Sequence, residues 1–469
     1  MKIKHTEVDI PEDNPFKNCK LGREKYGQIL TTIIGSYSDG FVLGIDNKWG
    51  TGKTTFVKMW KQQLDNENYK TLYFNAWSND FDSNPLIAIL SELKTLNPSS
   101  DDVSFKKLLT KGAIITQNLL PAVVKAIAEK YIDIAVIKDA LEEVAKSAGD
   151  ILKTEIDDYS KKKKGLVDFK KDLETYVEKN TEKQPLIFII DELDRCRPSY
   201  AVEVLEQIKH FFSVKGTVFV LAIDKIQLGN AIKGFYGSES IDSNEYLRRF
   251  IDIEYTIPPP PTGVFCQYLF DYYQFDLFFN KPARKHPELI DEKELFLNIS
   301  TKIFDKDNIT LRQQEKIFAH ARLALNTIPE KNYLYPEMFF LLTYIRDQKS
   351  SFYLNIRNRK FKPQQFIDNL KDLLPQNLDK YDVTHFIYLE AQFAMFYDNY
   401  CKESHVPSNL YEHNPESKES VLLVNSSYGT KEANDVFLGY LTSFSTRNRS
   451  GTKLSILLDK IDLLENVIN

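Results

Sequence analysis

The segment that most restricts this chain is Gly44 to Thr55, which reads GIDNKWGTGKTT. It follows an apolar run, Phe41-Val42-Leu43-Gly44-Ile45, and leads into helix-like sequence from Thr55 to Gln63. A strand that turns through glycines into a helix aims a row of backbone N–H groups, and the positive end of the helix dipole, at one point in space. That arrangement wraps a phosphate. On this reading Asn47, Lys48, Trp49, Gly50, Thr51, Gly52, Lys53, Thr54 and Thr55 line the anion. Lys53 reaches the outer phosphates, and the Thr54 hydroxyl is a ligand for Mg2+. The full spacing pattern has glycine where this chain has Asn47. Asparagine is among the few residues that tolerate a left-handed backbone, which would let the turn survive.

Further apolar runs read as buried strands of a parallel sheet: Leu186 to Ile190, Val218 to Ile223, and the shorter Thr71 to Asn75. Each is followed by a turn and helix-like sequence, so the expected class is α/β with right-handed crossovers. The second run ends in Asp191-Glu192. A carboxylate at the tip of a strand next to the one carrying the turn can hold Mg2+ through water. Glu192 is then placed to orient and deprotonate an attacking water. The plainer alternative is a capped strand-to-helix turn. Asp224 ends the third run, where a group sensing the outermost phosphate would sit, although strands often end in aspartate.

The bulk chemistry narrows the classes. The chain has 469 residues, 42% hydrophobic and 27% charged, with a net charge of −5. Such a balance buries a core for two or three domains and gives no global pull toward nucleic acid or anionic membrane. The four cysteines, Cys19, Cys196, Cys266 and Cys401, lie far apart, which argues against disulfides and zinc and for a reducing, cytoplasmic setting. The N-terminus is charged from its start, and the uncharged run from Gly112 to Val124 is too short to span a bilayer, so no membrane is expected.

Leu166, Phe169, Leu173, Tyr176 and Val177 form one helical face, preceded by Lys161 to Lys164, read as a solvated helix start rather than a phosphate patch. Pro258 to Pro261 mark the clearest boundary. Beyond them Gln267 to Phe279 is dense in rings but carries Asp271 and Asp276 and no cation, so it reads as a packed core helix rather than a base-stacking surface. Leu454 to Ile468 reads as a C-terminal helix packed on its own domain, with a docking role as the alternative.

Taken together, these residues resemble the KAP family of P-loop NTPases from about Asn14 to Leu325. Trp49 to Thr54 is similar to the family's WG(S/T)GK(T/S) turn, Phe74-Asn75-Ala76-Trp77 to its FNxW stretch, and Asp191 to Cys196 to its D(D/E)LDRC segment. Leu21-Gly22-Arg23, Tyr246 to Arg249 and the Leu311-Arg312 pair look similar to further family segments. The resemblance implies an additional-strand, catalytic-glutamate P-loop core, ATP with Mg2+ as ligands, Arg23 among the nucleotide contacts, and a helical lid. It implies a domain over residues 1–257 with a helical insert at about 78–184, a lid over 258–350, and a C-terminal helical domain over 351–469. Arg312 matches a lid position that could sense the γ-phosphate, and Arg195, Arg248 and Arg249 are candidates for an arginine finger, in this subunit or a neighbour. Many family members carry transmembrane helices in the insert; here that interval is too charged.

The leading expectation is a Mg2+-dependent ATPase whose nucleotide state drives assembly or switching of a homo-oligomer with other, nearby-encoded subunits. Soluble bacterial relatives resemble ATPase subunits of anti-phage systems, including the Qat type. Two alternatives stay open. One is a nucleotide-gated scaffold with little turnover. The other is an ATP-driven nucleic-acid translocase, for which Arg357 to Lys360 and Arg447 to Arg449 would be phosphate contacts against an acidic total.

Overall fold

The computed structural model describes residues 7–37, 39–81, 85–97, 104–105, 108, 155–181, 184–287, 289–329, 334–376, 380–413, 420–446 and 453–463. The run Gly112–Val124, most of the 78–184 insert, Arg447 to Arg449, Leu464 and Ile468 lie outside them, as do the side chains of Lys161 to Lys163. No helix among the described residues is long and apolar enough to cross a membrane. The chain divides into two compact units, 7–259 and 260–469, with the boundary inside the proline run.

The first unit is built on strands β1 (Phe41–Asp46), β2 (Thr71–Asn75), β3 (Leu186–Asp191), β4 (Thr217–Ile223) and β5 (Ile253–Tyr255). All pair in parallel, in the order β2-β3-β4-β1-β5. Their apolar residues alternate between the two faces, as a period of two requires. Leu186, Phe188, Ile190, Phe219, Leu221 and Ile223 face one buried cluster, with Phe169, Leu173, Tyr176 and Val177 of the helix Glu155–Asn180. Ile187, Ile189, Val218, Val220, Leu43 and Ile45 face the other, with helices α1 (Glu24–Gly35) and α2 (Lys53–Asn66). Continuous apolar runs buried on both faces are the mark of a parallel central strand.

The order corrects one expectation. β3 is not next to β1, because β4 lies between them. Asp224, just past β4, therefore stands between the glycine-rich turn and Asp191.

The second unit is helical, with one short antiparallel hairpin of Tyr411–His413 and Ser420–Leu422 that the sequence did not suggest. The ring-dense segment is not one helix. It breaks into Thr262–Tyr272 and Asp276–Phe279 at Gln274, whose φ is 57°. The break lets Phe270, Phe275 and Phe279 all pack on Phe296, while Phe318 and Phe340 close the cluster from two further helices.

The C-terminal helix Leu454–Ile461 packs on its own unit. His320 Nε2 donates to Ile461 O at 2.7 Å, Arg346 pairs with Asp462 at 3.0 Å, and Arg357 pairs with Asp459 and Asp462 at 2.8 and 2.9 Å. The basic cluster at Arg357 to Lys360 is thus largely spent inside the unit. Arg359 donates to Tyr400 O at 2.9 Å and lies 3.5 Å above that ring. Among the described residues Lys360 alone of the three cations carries no such contact, a poor base for nucleic-acid phosphate binding.

Candidate nucleotide site

The turn from β1 to α2 places Gly50 at φ 78° and Gly52 at φ 81°, both in the left-handed region that an L side chain enters at a cost of about 1–2 kcal/mol. Gly52 is the residue before α2, so the first free N–H groups of that helix open onto the turn. Asn47 does not use the left-handed freedom ascribed to it; no positive φ is recorded there. Its amide does other work. Nδ2 donates to Ile257 O at 2.8 Å, and Oδ1 accepts from Ile257 N at 3.0 Å. A glycine could make neither bond.

Lys53 is buried, and its Nζ donates to the carbonyl of Asn47, with Lys48 O a further 3.4 Å contact. Burial pulls its ammonium down, while Asp194, Asp224, Asp191 and Asp46 oppose that pull. Four carboxylates around one lysine keep a cation usable in a desolvated pocket. Lys48 and Trp49 are exposed, and Thr51, Thr54 and Thr55 are half-buried along the turn.

Arg23 is placed differently from a nucleotide contact. Its buried guanidinium donates to Thr51 O at 2.7 Å and to Gly52 O at 3.1 Å. It therefore grips the turn by its carbonyls and leaves the N–H groups for an anion.

At the strand tips, Asp191 is buried and its acid is pushed up by burial. The Tyr73 bond and the nearby Thr54 hydroxyl counter this, while the charge of Glu192 adds to it. Tyr73 Oη donates to Oδ2 at 2.8 Å, and the backbone N–H of Glu192 donates to Oδ1 at 2.9 Å. The Thr54 hydroxyl is near enough to this carboxylate to draw its acid back down, so the two expected metal ligands are neighbours although β4 separates their strands. Among the described residues no group of three or more His, Cys, Asp or Glu forms a metal cage. That donor set fits Mg2+, which keeps several waters and draws on one or two protein oxygens and substrate phosphates.

Glu192 adopts φ 60°, and its carboxylate is held at both ends. Asn75 Nδ2 donates to Oε2 at 3.0 Å, and Arg195 pairs with Oε1 at 2.8 Å while lying over the Trp77 ring. Asn75 can do this because it sits in register beside Asp191, and the N–H of Ser78 on its Oδ1, at 2.9 Å, turns the amide toward Glu192.

Asp194, inside the Asp191 to Cys196 segment, is central to the site. Its Oδ2 accepts from Trp49 Nε1 at 2.5 Å and from Asp224 N at 2.9 Å. Asp224 in turn accepts from Trp49 N at 3.1 Å and caps the next helix through Gln227 N at 3.2 Å. The turn, the β3 tip and the β4 tip are thereby one hydrogen-bonded assembly, and it brings the three sequence signatures together.

The sequence pattern of the KAP family P-loop domain matches residues 23–323. The chain belongs to the KAP family of P-loop NTPases. No curated protein matches the sequence. Among solved structures, the ORC2 protein of Aeropyrum pernix in its ADPNP–ADP complexes covers 90% of this chain and 95% of its own, at 13% identity and a TM-score of 0.33. Its ADP form covers 94% and 97%, at 12% and 0.34. At those scores the likeness carries no argument, and the fold stands on the strand order and register above.

Arg249 and Arg248 stand toward the starting end of β1 rather than at the strand tips. Arg249 follows the short helix Ser243–Leu247 and precedes Asp252, whose N–H donates to Val42 O at 2.9 Å. It therefore lies at the starting end of β1, about 17 Å of strand from Asn47. Arg248, beside it, pairs with Glu245 at 3.2 Å on the surface. Arg312 is exposed in the first turn of the helix Leu311–Leu325, in the second unit.

Proposed function

We propose that this KAP protein binds ATP with Mg2+ and hydrolyses it, and that the nucleotide state switches its assembly with other proteins. The observation that carries the reading is the convergence of Lys53, Thr54, Asp191 and Glu192 at one end of the sheet. Mg2+, when bound, would neutralise charge on the β and γ phosphates. The turn's N–H groups and Lys53 bind and orient the triphosphate. Glu192 then accepts the proton of the attacking water through whichever oxygen Asn75 or Arg195 yields.

Phosphate release by the purified chain tests this. Lys53→Ala and Glu192→Gln are each expected to slow turnover by about 10²–10⁴-fold. Equal rates in all three proteins would refute hydrolysis at this site.

The two partners on Glu192 favour one second reading, a nucleotide-gated scaffold with little turnover. It predicts that Glu192→Gln leaves the ATP-dependent particle mass unchanged. The place of Arg249 supports assigning it to a neighbouring copy's nucleotide. On that assignment, mixing inactive Lys53→Ala and Arg249→Ala chains restores part of the activity, and failure to do so removes the assignment. A part in anti-phage defence rests on the family resemblance alone, and plaque counts with the native gene set and its Lys53→Ala form would decide it.

A further inference from the structure

Asn47 departs from the glycine of the usual turn, and its side chain is engaged far from the phosphates. Both polar atoms of the amide are paired with the backbone of Ile257, one donating and one accepting, as a neighbouring strand would do. Ile257 is itself fixed, with its side chain buried among the residues of β1 and α2. The next four residues are Pro258 to Pro261, and the helix Thr262–Tyr272 starts directly after them. Four prolines hold φ near one value, so the run behaves as a stiff spacer of about 12 Å rather than a loose tether. The same Asn47 offers its carbonyl to Lys53 Nζ. A triphosphate in the turn draws on that ammonium and on the N–H groups that follow, so Asn47 lies between the phosphate-binding groups and the root of the spacer.

We propose that Asn47 is a positioning residue that couples occupancy of the phosphate turn to the proline spacer, through its paired hydrogen bonds to Ile257. This rests on the reading that the turn binds ATP. A nucleotide that binds more tightly when the Asn47–Ile257 clamp is closed suppresses opening of the clamp, by at most a factor of one plus its concentration over Kd. Linkage requires the reverse effect on the nucleotide as well.

The test uses hydrogen exchange on the full chain, with Mg2+ and a non-hydrolysable ATP analogue. The prolines have no N–H, so a peptide spanning residues 251–262 reports chiefly on Ile257 and the residues before it. At about one hundred times Kd, exchange at Ile257 is expected to slow by at least tenfold in the wild type, with about a hundredfold as the ceiling. Asn47→Gly restores the common turn residue and removes the clamp. Its own Kd is measured first, and the analogue is held at about one hundred times that value, so a change in affinity does not enter the comparison. Its Ile257 exchange should be fast and blind to nucleotide. Asn47→Asp keeps the acceptor for Ile257 N–H and should recover part of the response, which guards against a merely unfolded variant.

Wild-type binding without any change at Ile257 would overturn the coupling, as would an unchanged response in Asn47→Gly. Failure of the wild type to bind nucleotide would instead sink the ATP reading beneath it.

Discussion

Asp194 makes the most quantitative claim available at the site. Its carboxylate carries the Trp49 indole on one bond and the Asp224 N–H on the other, so Trp49→Phe and Asp194→Asn perturb the same contact from opposite sides. A hydrogen bond to an ionised acceptor contributes about 1.5–3 kcal/mol. In Asp194→Asn the indole of Trp49, 42% exposed, can turn its N–H to water, and in Trp49→Phe the Asp194 carboxylate keeps the Asp224 N–H. With 1.4 kcal/mol per tenfold, loading that bond onto the turn's geometry predicts a loss of about 10- to 150-fold in ATP affinity for Trp49→Phe. Asp194→Asn retains a neutral acceptor of about half the strength and should lose about tenfold. Calorimetric titration of ATP into wild type, both single variants and the double variant closes the cycle. The double variant is expected to be no worse than Trp49→Phe, giving a coupling energy of at least about 1 kcal/mol. If the two losses multiply, Trp49 and Asp194 act independently, and the hydrogen-bonded assembly of turn and strand tips is the wrong account.

Arg23→Lys should weaken all nucleotides alike by about tenfold, because an ammonium cannot span the carbonyls of Thr51 and Gly52 as the planar fork does; a loss confined to one base would mean a direct contact. The pH profile of kcat/KM should be narrower than free side chains would give. Metal-assisted binding needs Asp191 ionised, and burial pushes that acid up; phosphate binding needs Lys53 charged, and burial pulls it down. A plateau reaching from the ordinary carboxylate range to the ordinary lysine range would contradict this. In the second unit, Glu390 accepts from Ser426 Oγ at 2.6 Å and Ser427 N at 2.7 Å with its acid pushed up by burial. A folded value above the unfolded one gives stability that is complete below the ordinary glutamate range and lost as pH rises through the folded value. Glu390→Gln should therefore sit within about 1 kcal/mol of wild type at neutral pH and lose less stability as pH rises. Parallel thermal unfolding curves for the two proteins across that range would refute it.

The strands and the phosphate turn were readable because their signals are local. Apolar runs of the right length mark central strands, and glycines at 50 and 52 mark the turn. The errors share a different cause. The backbone preference of Asn47 is a local signal, yet its partner is 210 residues away in the chain. The place of Arg249 depends on which end of β5 it precedes, and β5 is only three residues long, too short for a periodic signal. Asp194 sits inside the segment similar to D(D/E)LDRC, but its donors come from two other strands' ends. The break at Gln274 was hidden because rings continue on both sides of it.

The backbone at Glu192 sets stability against turnover at a single residue. With φ at 60°, any L side chain there costs about 1–2 kcal/mol that glycine would not. Glu192→Gly should thus relax the turn while deleting the proposed base. A screen for heat resistance alone would drift toward glycine at 192, so thermostabilised lineages of this protein need an activity gate to keep their glutamate.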